Sequence, residues 1–362
     1  IYLIDGDKLV FKASRSDTYF KKWGEKKTRE IFKSFEMPIT KESMAGYVAI
    51  TSKSLNIHNV QNIPIDSEFH YNPIIDKKYD YKTISMLVVP MITNDGKTIG
   101  ILQLLNATLD NKVVPFSSKH NKITASFSSY AAVAIQNAKL TKELKSAHID
   151  TIFRLSAAAE FRDKETGNHI KRVSYYSKII AENIGFSQND SELIFWAAPM
   201  HDIGKLGVAD AILQKPGKLT HEERTAMQHH TIMGAMILKN ACDTVLRESR
   251  IIALTHHERV DGMGYPLGLK GDEIPVSGKI VALADVYDAL SSKRCYKEEF
   301  SEDKVIGILL EERGKHFDPK IFDAFMACFK GIKDIKERYS DDKDDSDKFV
   351  NAKNIDIMGL LK

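Results

Sequence analysis

Five short segments of this 362-residue chain carry side chains that bind metals or move protons, and any fold it adopts must let them converge. The central segment is Met200-His201-Asp202-Ile203-Gly204-Lys205. An adjacent His-Asp pair offers a neutral nitrogen and an anionic oxygen from one point on the backbone. The carboxylate has two oxygens and can bridge two cations. Lys205 adds a positive charge three residues later. Such a dipeptide is common, and its weight comes from its company: Glu165 and His169 before it, then His230, His256-His257 and Asp285 after it. Seven of the twelve histidines fall between His169 and His257, which puts the chemistry in the C-terminal half.

Glu165, His169, His201, Asp202, His230, His256, His257 and Asp285 are all nitrogen or oxygen ligands, with no thiolate among them. That set disfavours a structural zinc site and favours iron, manganese or a similar hard-to-borderline metal. It exceeds what one ion needs, so two or three ions are expected, with Asp202 as the bridge. Glu165 and His169 are four residues apart and would share one face of a helix. A single histidine is more often a surface or satisfied core residue. His58, His70, His120, His148, His221 and His229 are read that way, and His316 and Asp318 as part of a helix-entry turn. For the eight candidates the joint pattern outweighs that reading.

Composition sets the frame. The length fits two domains of ordinary size, and 43% apolar with 28% charged residues is ordinary for a soluble globular chain. A net charge of +3 argues against nucleic-acid coating or a polybasic membrane role. No apolar run approaches the roughly 18 residues of a membrane span. The start has no basic n-region and no Met, so it reads as the visible start of a longer chain rather than a signal peptide. Cys242, Cys295 and Cys328 are far apart and odd in number, which fits a reducing cytoplasm.

Residues 1–135 are expected to form an α/β unit. Ile1–Ile4 and Lys8–Ala13 read as strands around Asp5-Gly6-Asp7, Tyr19–Glu36 as a charged helix, and Ser43–Ser52 as a helix entered through Ser43. Ser85–Ile92 and Thr98–Asn106 read as a hairpin closed by Asn94-Asp95-Gly96, and His120–Ala138 as a closing helix. This order resembles the GAF family of sensory domains, an antiparallel sheet with helices. The cyclic-nucleotide signature of that family is absent, since Ala107 follows Asn106 and no acidic pair follows Phe116. The resemblance therefore implies a sensor that mainly dimerises.

Tyr130–Ala159 contains no Gly or Pro, and Val133, Leu140, Leu144, Ala147 and Thr151 approach a 3.5-residue repeat. Residues 136–155 are read as a connecting helix that pairs with its copy in a homodimer; a plain intramolecular helix is the alternative. Residues 156–338 carry successive helical patterns broken by Gly/Pro loops, and an all-α domain is expected. Residues 339–362 read as an acidic linker or tail.

The all-α region closely resembles the HD-GYP family of bacterial cyclic di-GMP phosphodiesterases, a branch of the HD metal-dependent phosphohydrolases. The matching motifs are Thr166–Arg172, AAPMHDIGKLG (197–207), His230–Gly234, HHERVDGMGYPLGLKGDEIP (256–275), Ile280–Ser291, Arg294–Lys297 and Gly314–Pro319. Ala209 and Cys295 stand where proline is usual. The resemblance makes His169, His201, Asp202 and Asp285 the ligands shared by HD enzymes. It makes His230, His256 and His257 those that complete a binuclear site. Glu165, not found in every member, implies a third ion and hence a trinuclear iron site. Asp202 and Lys205 take catalytic roles, Lys205 at the transition state or leaving oxygen. Arg294 and Lys297 would bind the second phosphate. Gly264-Tyr265-Pro266 would meet guanine, and Asp288, one turn from Asp285, would accept from a guanine edge. Ordinary ion pairing is the alternative for Lys205, Asp288, Arg294 and Lys297. The implied reaction is hydrolysis of cyclic di-GMP to pGpG and on to GMP. Another HD-type nucleotide phosphohydrolase and a non-catalytic cyclic di-GMP receptor are the competing readings.

Overall fold

The computed structural model describes residues 1–14, 20, 24, 26–27, 35–163, 167–292 and 299–340. Contacts divide the chain into two compact units, residues 1–145 and 146–362. Among the described residues no helix is long and apolar enough to cross a membrane.

The N-terminal unit is built on a six-stranded antiparallel sheet. Its strands are β1 (Tyr2–Asp5), β2 (Lys8–Phe11), β3 (Glu36–Pro38), β4 (Leu55–Ile57), β5 (Met86–Ile92) and β6 (Thr98–Leu105), in the spatial order β3-β2-β1-β6-β5-β4. A separate pair, β7 (Ala107–Leu109) and β8 (Lys112–Val114), follows. β5 is buried along almost its whole length, because both faces of the sheet are covered. On one face Met86, Val88 and Ile101 meet Met44, Ala45 and Val48 of helix α1 (Met44–Thr51). On the other, Leu87 and Val89 meet Phe116 and Ala125. Burial on both faces accounts for the unbroken apolar run Met86–Met91, where one wet face would give alternation.

Local chemistry sets the ends of these elements. The Ser43 side chain caps α1 by accepting from the Gly46 N–H at 2.9 Å, as its position in the sequence predicts. Asn106 adopts φ 52° and its side chain accepts from the N–H groups of Ile84 and Ser85 at 2.7 and 3.2 Å. The expected hairpin Ser85–Asn106 is present, with Met86 opposite Leu105. The charged segment Tyr19–Glu36 lies mostly outside the described residues, and Glu36 itself opens β3 rather than ending a helix. A short helix α2 (Ile74–Tyr79) is tied down by Asp76, which accepts from the Thr83 N–H and hydroxyl at 2.6 and 2.9 Å.

A single 43-residue helix, α3 (Ser118–Glu160), runs through the stretch that lacks Gly and Pro. The C-terminal unit beyond it is helical. Its helices are α4 (Gly167–Asn183), α5 (Gln188–Ala197), α6 (Asp210–Leu213), α7 (His221–Gln228), α8 (His230–Ile237), α9 (Thr244–Thr255), α10 (Val276–Ser291), α11 (Glu302–Glu311), α12 (Pro319–Ala327) and α13 (Phe329–Arg338). The pattern His221–Asn240 becomes two helices that break at His229. Asp318 caps α12, accepting from the Lys320 N–H at 2.8 Å, as expected of a helix-entry turn.

The core of this unit packs α4, α5, α10 and α12 around Val173, Tyr176, Ile194, Leu283, Tyr287, Phe322 and Phe325. α10 is buried on nearly every face from Ser277 to Ala284, so it acts as the central rod of the unit. Phe325 has no solvent exposure, and its ring lies 5.2 Å from that of Tyr287 and 5.5 Å from that of Phe329. Phe325→Ala is expected to cost about 3–5 kcal/mol of stability. Urea unfolding followed by circular dichroism measures it, and a loss below about 1 kcal/mol would show that the core collapses around the gap.

Candidate metal centre

Three of the expected ligands sit immediately after a helical segment. His201 follows the 3₁₀ turn Ala198–Met200, His230 lies just past α7, and His256 follows α9. A carbonyl near the end of a helix keeps a lone pair for a second donor even where a backbone N–H already reaches it. Each histidine supplies one. Nδ1 of His201 lies 2.9 Å from the Ala198 carbonyl, and Nδ1 of His230 lies 2.7 Å from that of Met227. Nδ1 of His256 is shared between the carbonyls of Ile252 and Ala253 at 3.1 and 3.2 Å. A carbonyl can only accept, so Nδ1 donates and carries the proton, and the lone pair is left on Nε2. The helix ends therefore fix both the tautomer and the aim of three rings.

Those rings point at Asp202. Its Oδ1 lies 3.1 Å from His230 Nε2 and 3.3 Å from His256 Nε2, and its Oδ2 lies 3.6 Å from His201 Nε2. All four side chains are buried. Yet Asp202 Oδ1 and the Nε2 atoms of His201, His230 and His256 make no hydrogen bond among the described residues. Buried polar atoms are normally paired, and leaving one unpaired costs about 1–3 kcal/mol. Several orphaned acceptors facing one another are what a cation would satisfy.

The ligand atoms form two groups, each within 4.8 Å: Asp202 with His230, His256 and His257, and His169 with His201 and Asp285. Asp202 faces both, one oxygen toward each. Seven of the eight candidate ligands thus converge. The eighth, Glu165, lies outside the described residues, as do Arg294 and Lys297.

Charge is balanced around Asp202. Burial would raise its carboxyl, but Lys205, His201 and His230 hold it well below the usual carboxylate range. Lys205 Nζ lies 2.8 Å from Asp202 Oδ2. Burial lowers His256, and it lowers His257 strongly with help from its neighbour His256, so both favour the neutral form a ligand needs. The close approach of these segments depends on Gly204. A Cβ there would stand 1.8 Å from the His230 carbonyl oxygen, so only glycine lets the turn after Asp202 rest on the start of α8.

Asp288 occupies a different place from the guanine-binding one expected. It is buried, and its two oxygens meet Arg172 Nε at 2.7 Å and Nη2 at 2.8 Å, with His169 Nδ1 at 2.8 Å. Burial would raise the Asp288 carboxyl, but Arg172 and His169 depress it strongly. These contacts are those of ion pairing, the alternative reading of this residue, and they hold His169 Nδ1 as well. The pairs His169/Arg172 and Asp285/Asp288 are each spaced by three residues on α4 and α10, and that facing register was available in the sequence but went unused.

Gly264, Tyr265 and Pro266 lie in a loop against the first group. The Tyr265 ring stacks on His257 with centroids 4.7 Å apart and 29° between planes. A Cβ on Gly264 would meet the Arg259 nitrogen at 2.4 Å and Glu258 Cα at 2.6 Å. Glu258, buried next to the ligand pair, accepts from the N–H groups of Leu267 and Leu269 at 2.7 and 3.0 Å and so holds this loop. Sequence reasoning quoted Glu258 but gave it no role, and it missed Glu160, whose carboxylate lies 3.4 Å from Lys205 Nζ.

Arg172→Ala would leave Asp288 buried without its main counter-charge. Removing one partner of a buried pair costs about 3–5 kcal/mol. Thermal melting together with elemental analysis should show both a less stable protein and weaker metal retention, because His169 loses its fixed partner. Unchanged metal content would separate Asp288 from the ligand it touches.

Comparison with known proteins agrees with this geometry. Residues 154–321 match the HD domain family model and residues 14–135 the GAF domain model. Among curated proteins, the chain is 43% identical over 206 residues to a "Probable cyclic di-GMP phosphodiesterase" of Vibrio cholerae serotype O1, covering 53% of this chain and 47% of that protein. It is 45% identical over 212 residues to a "Cyclic di-GMP phosphodiesterase" of the same organism, covering 55% and 43%. It is 38% identical over 194 residues to its "3'3'-cGAMP-specific phosphodiesterase 2", covering 54% and 37%. The chain thus spans less than half the length of these relatives. Residues 14–135 are thus similar to GAF domains, and residues 154–321 to the HD-domain family.

Proposed function

We propose that this chain is a metal-dependent phosphodiesterase that hydrolyses cyclic di-GMP to pGpG, and onward to GMP, with its GAF domain as the regulatory element. The observation that carries the reading is the pair of ligand groups joined through Asp202. Its substrate is inferred from the names of the relatives above and from the Gly264-Tyr265-Pro266 loop beside the group that contains His257.

Two ions fit the donors present: His169, His201 and Asp285 for one, His230, His256 and His257 for the other, with Asp202 across both. When bound, they would supply Lewis-acid charge to a phosphate and acidify water. The chain's own residues do the rest. Lys205 brings an ammonium to the edge of the site, placed to bind a non-bridging phosphate oxygen or to give a proton to the leaving oxygen. Tyr265 has its phenol raised by burial, with Asp202 and Asp285 adding to the shift, so it stays a hydrogen-bond donor at neutral pH. With one ring face against His257, it presents an apolar and a polar edge to a nucleotide. Arg294 and Lys297 are assigned to the second phosphate, and Glu165 to a third ion, on the strength of the motif alone. Iron is the favoured metal and manganese the second, from the nitrogen and oxygen donor set.

We also assign a homodimer through the GAF domain and α3. In support, Leu140, Leu144 and Leu155 are more than half exposed along α3, as are Phe127 and Tyr130. A relative named for 3'3'-cGAMP makes that dinucleotide the second substrate to try.

Asp202→Ala should lose at least one ion and abolish turnover of cyclic di-GMP. Anaerobic purification with elemental analysis and a panel of cyclic dinucleotides tests this, and a variant with full activity and full metal content would overturn the bridging role. Glu165→Ala should lower metal content by about one ion and leave a pair. A parent protein with only two ions would end the third-site assignment.

A further inference from the structure

Lys205 brings an ammonium to 2.8 Å from Asp202 Oδ2, and the segment that ends α3 contacts both its side chain and its backbone. Glu160, the last residue of α3, is 2% exposed, and its Oε2 lies 3.4 Å from Lys205 Nζ. Arg162, two residues later, binds the backbone of the turn that carries Lys205. Its Nη1 donates to the carbonyls of Lys205 and Leu206 at 3.2 and 2.8 Å, and its Nη2 to the Val208 carbonyl at 3.1 Å and to Asp210 at 2.5 Å. The Gln214 side chain in turn donates to the Arg162 carbonyl at 3.2 Å. The same end of α3 is built into the core beneath the site, where Ile152 and Ala159 pack with Met200 and Ile203 on either side of His201-Asp202.

We propose that Glu160 and Arg162 are positioning residues for Lys205, Glu160 fixing the ammonium and Arg162 the backbone that bears it. The inference rests on the phosphodiesterase reading and deepens it. A buried ammonium 2.8 Å from a bridging carboxylate faces repulsion from any cations that carboxylate holds. A second carboxylate, Glu160, at 3.4 Å from the ammonium offsets that repulsion. At 3.4 Å the Glu160 contact is long for a hydrogen bond, and it acts on the ammonium chiefly through its charge. The ends of Glu160 and Arg162 lie on one short segment, so a shift or rotation at the end of α3 moves the ammonium and its backbone together. That makes the end of α3 a place where activity can be set without touching a metal ligand.

Glu160→Gln keeps the reach of the side chain and removes its charge. It should lower kcat by about 10- to 100-fold, as expected for a misplaced catalytic group, with KM, metal content and melting temperature close to the parent. Glu160→Asp, charged but shorter, should fall between. Arg162→Lys should follow the same pattern and guards against misfolding of the first variant. Rates are measured with cyclic di-GMP and with bis(p-nitrophenyl) phosphate, which needs the reacting groups but no nucleotide recognition. A crystal structure of Glu160→Gln reads the position of Lys205 Nζ directly.

Parent turnover of the small ester without cyclic di-GMP would overturn the substrate reading and leave the Glu160 test standing. If neither compound turns over, the Nζ position decides. An unmoved Nζ with parent-like kcat would overturn the proposal. Loss of metal and melting temperature in step with kcat would also overturn it, as the sign of a merely structural role.

Discussion

The buried carboxylate of Asp202 sets the terms for the C-terminal unit. An ionised carboxylate without solvent needs compensation, and here Lys205 supplies it, while rings brought in by separate helices face the carboxylate with lone pairs that a cation would satisfy. Each of those rings is aimed by the same device, a helix-end carbonyl that takes the Nδ1 proton on its second lone pair. The helices thus act as ligand holders through their termini rather than their faces. His169 and Asp285 are the exceptions, projecting from helices α4 and α10, and there the aiming falls to Asp288 and Arg172. Two different solutions to one problem, fixing a ring nitrogen in a dry site, meet across the two ligand groups.

Much of this was legible because metal binding constrains residue identity rather than packing. His201-Asp202, His230 and His256-His257 can be named from the sequence, since few other roles need so many neutral nitrogens and carboxylates in one region. The fold class was legible for a different reason. Ser43, the hairpin residues Asn94-Asp95-Gly96 and the Gly/Pro-free stretch before Ala159 each act locally, so each element end reports its own chemistry. Asp288 was misread because spacing on one helix says only which face a residue shares. What it faces is decided by α4, and its partner Arg172 lies 116 residues away in sequence. Glu160 was invisible for the same reason. Nothing in a helical sequence marks which glutamate will end beside a lysine 45 residues later.

The backbone contacts carry as much of the specificity as the side chains. Gly204 and Gly264 both sit where a Cβ would collide with main-chain atoms within 2.4 Å. The first lets the Asp202 turn touch the residue that begins α8. The second lets the Tyr265 loop lie on the segment that carries His256 and His257. Neither glycine adopts a left-handed φ, so it is proximity, not conformational freedom, that selects them. A substitution at either position would separate elements that must be in contact for the ligands to meet.

The two sides of the site are also held by unlike means. The metal-facing rings are anchored to helix termini through backbone carbonyls, which move only if a helix moves. The Tyr265 loop is anchored through one buried carboxylate, Glu258, accepting from two backbone N–H groups. Changing the loop sequence at solvent-facing positions such as Met263 or Leu267, both largely exposed, leaves that anchor and the ligand groups untouched. The physical consequence is a division of labour. The charge-handling centre tolerates little change, because its ligands are mutually constrained through Asp202. The exposed side chains of the loop are freer to vary, because its anchoring runs through Glu258, backbone bonds such as Tyr265 N–H to the His257 carbonyl, and the Tyr265 ring.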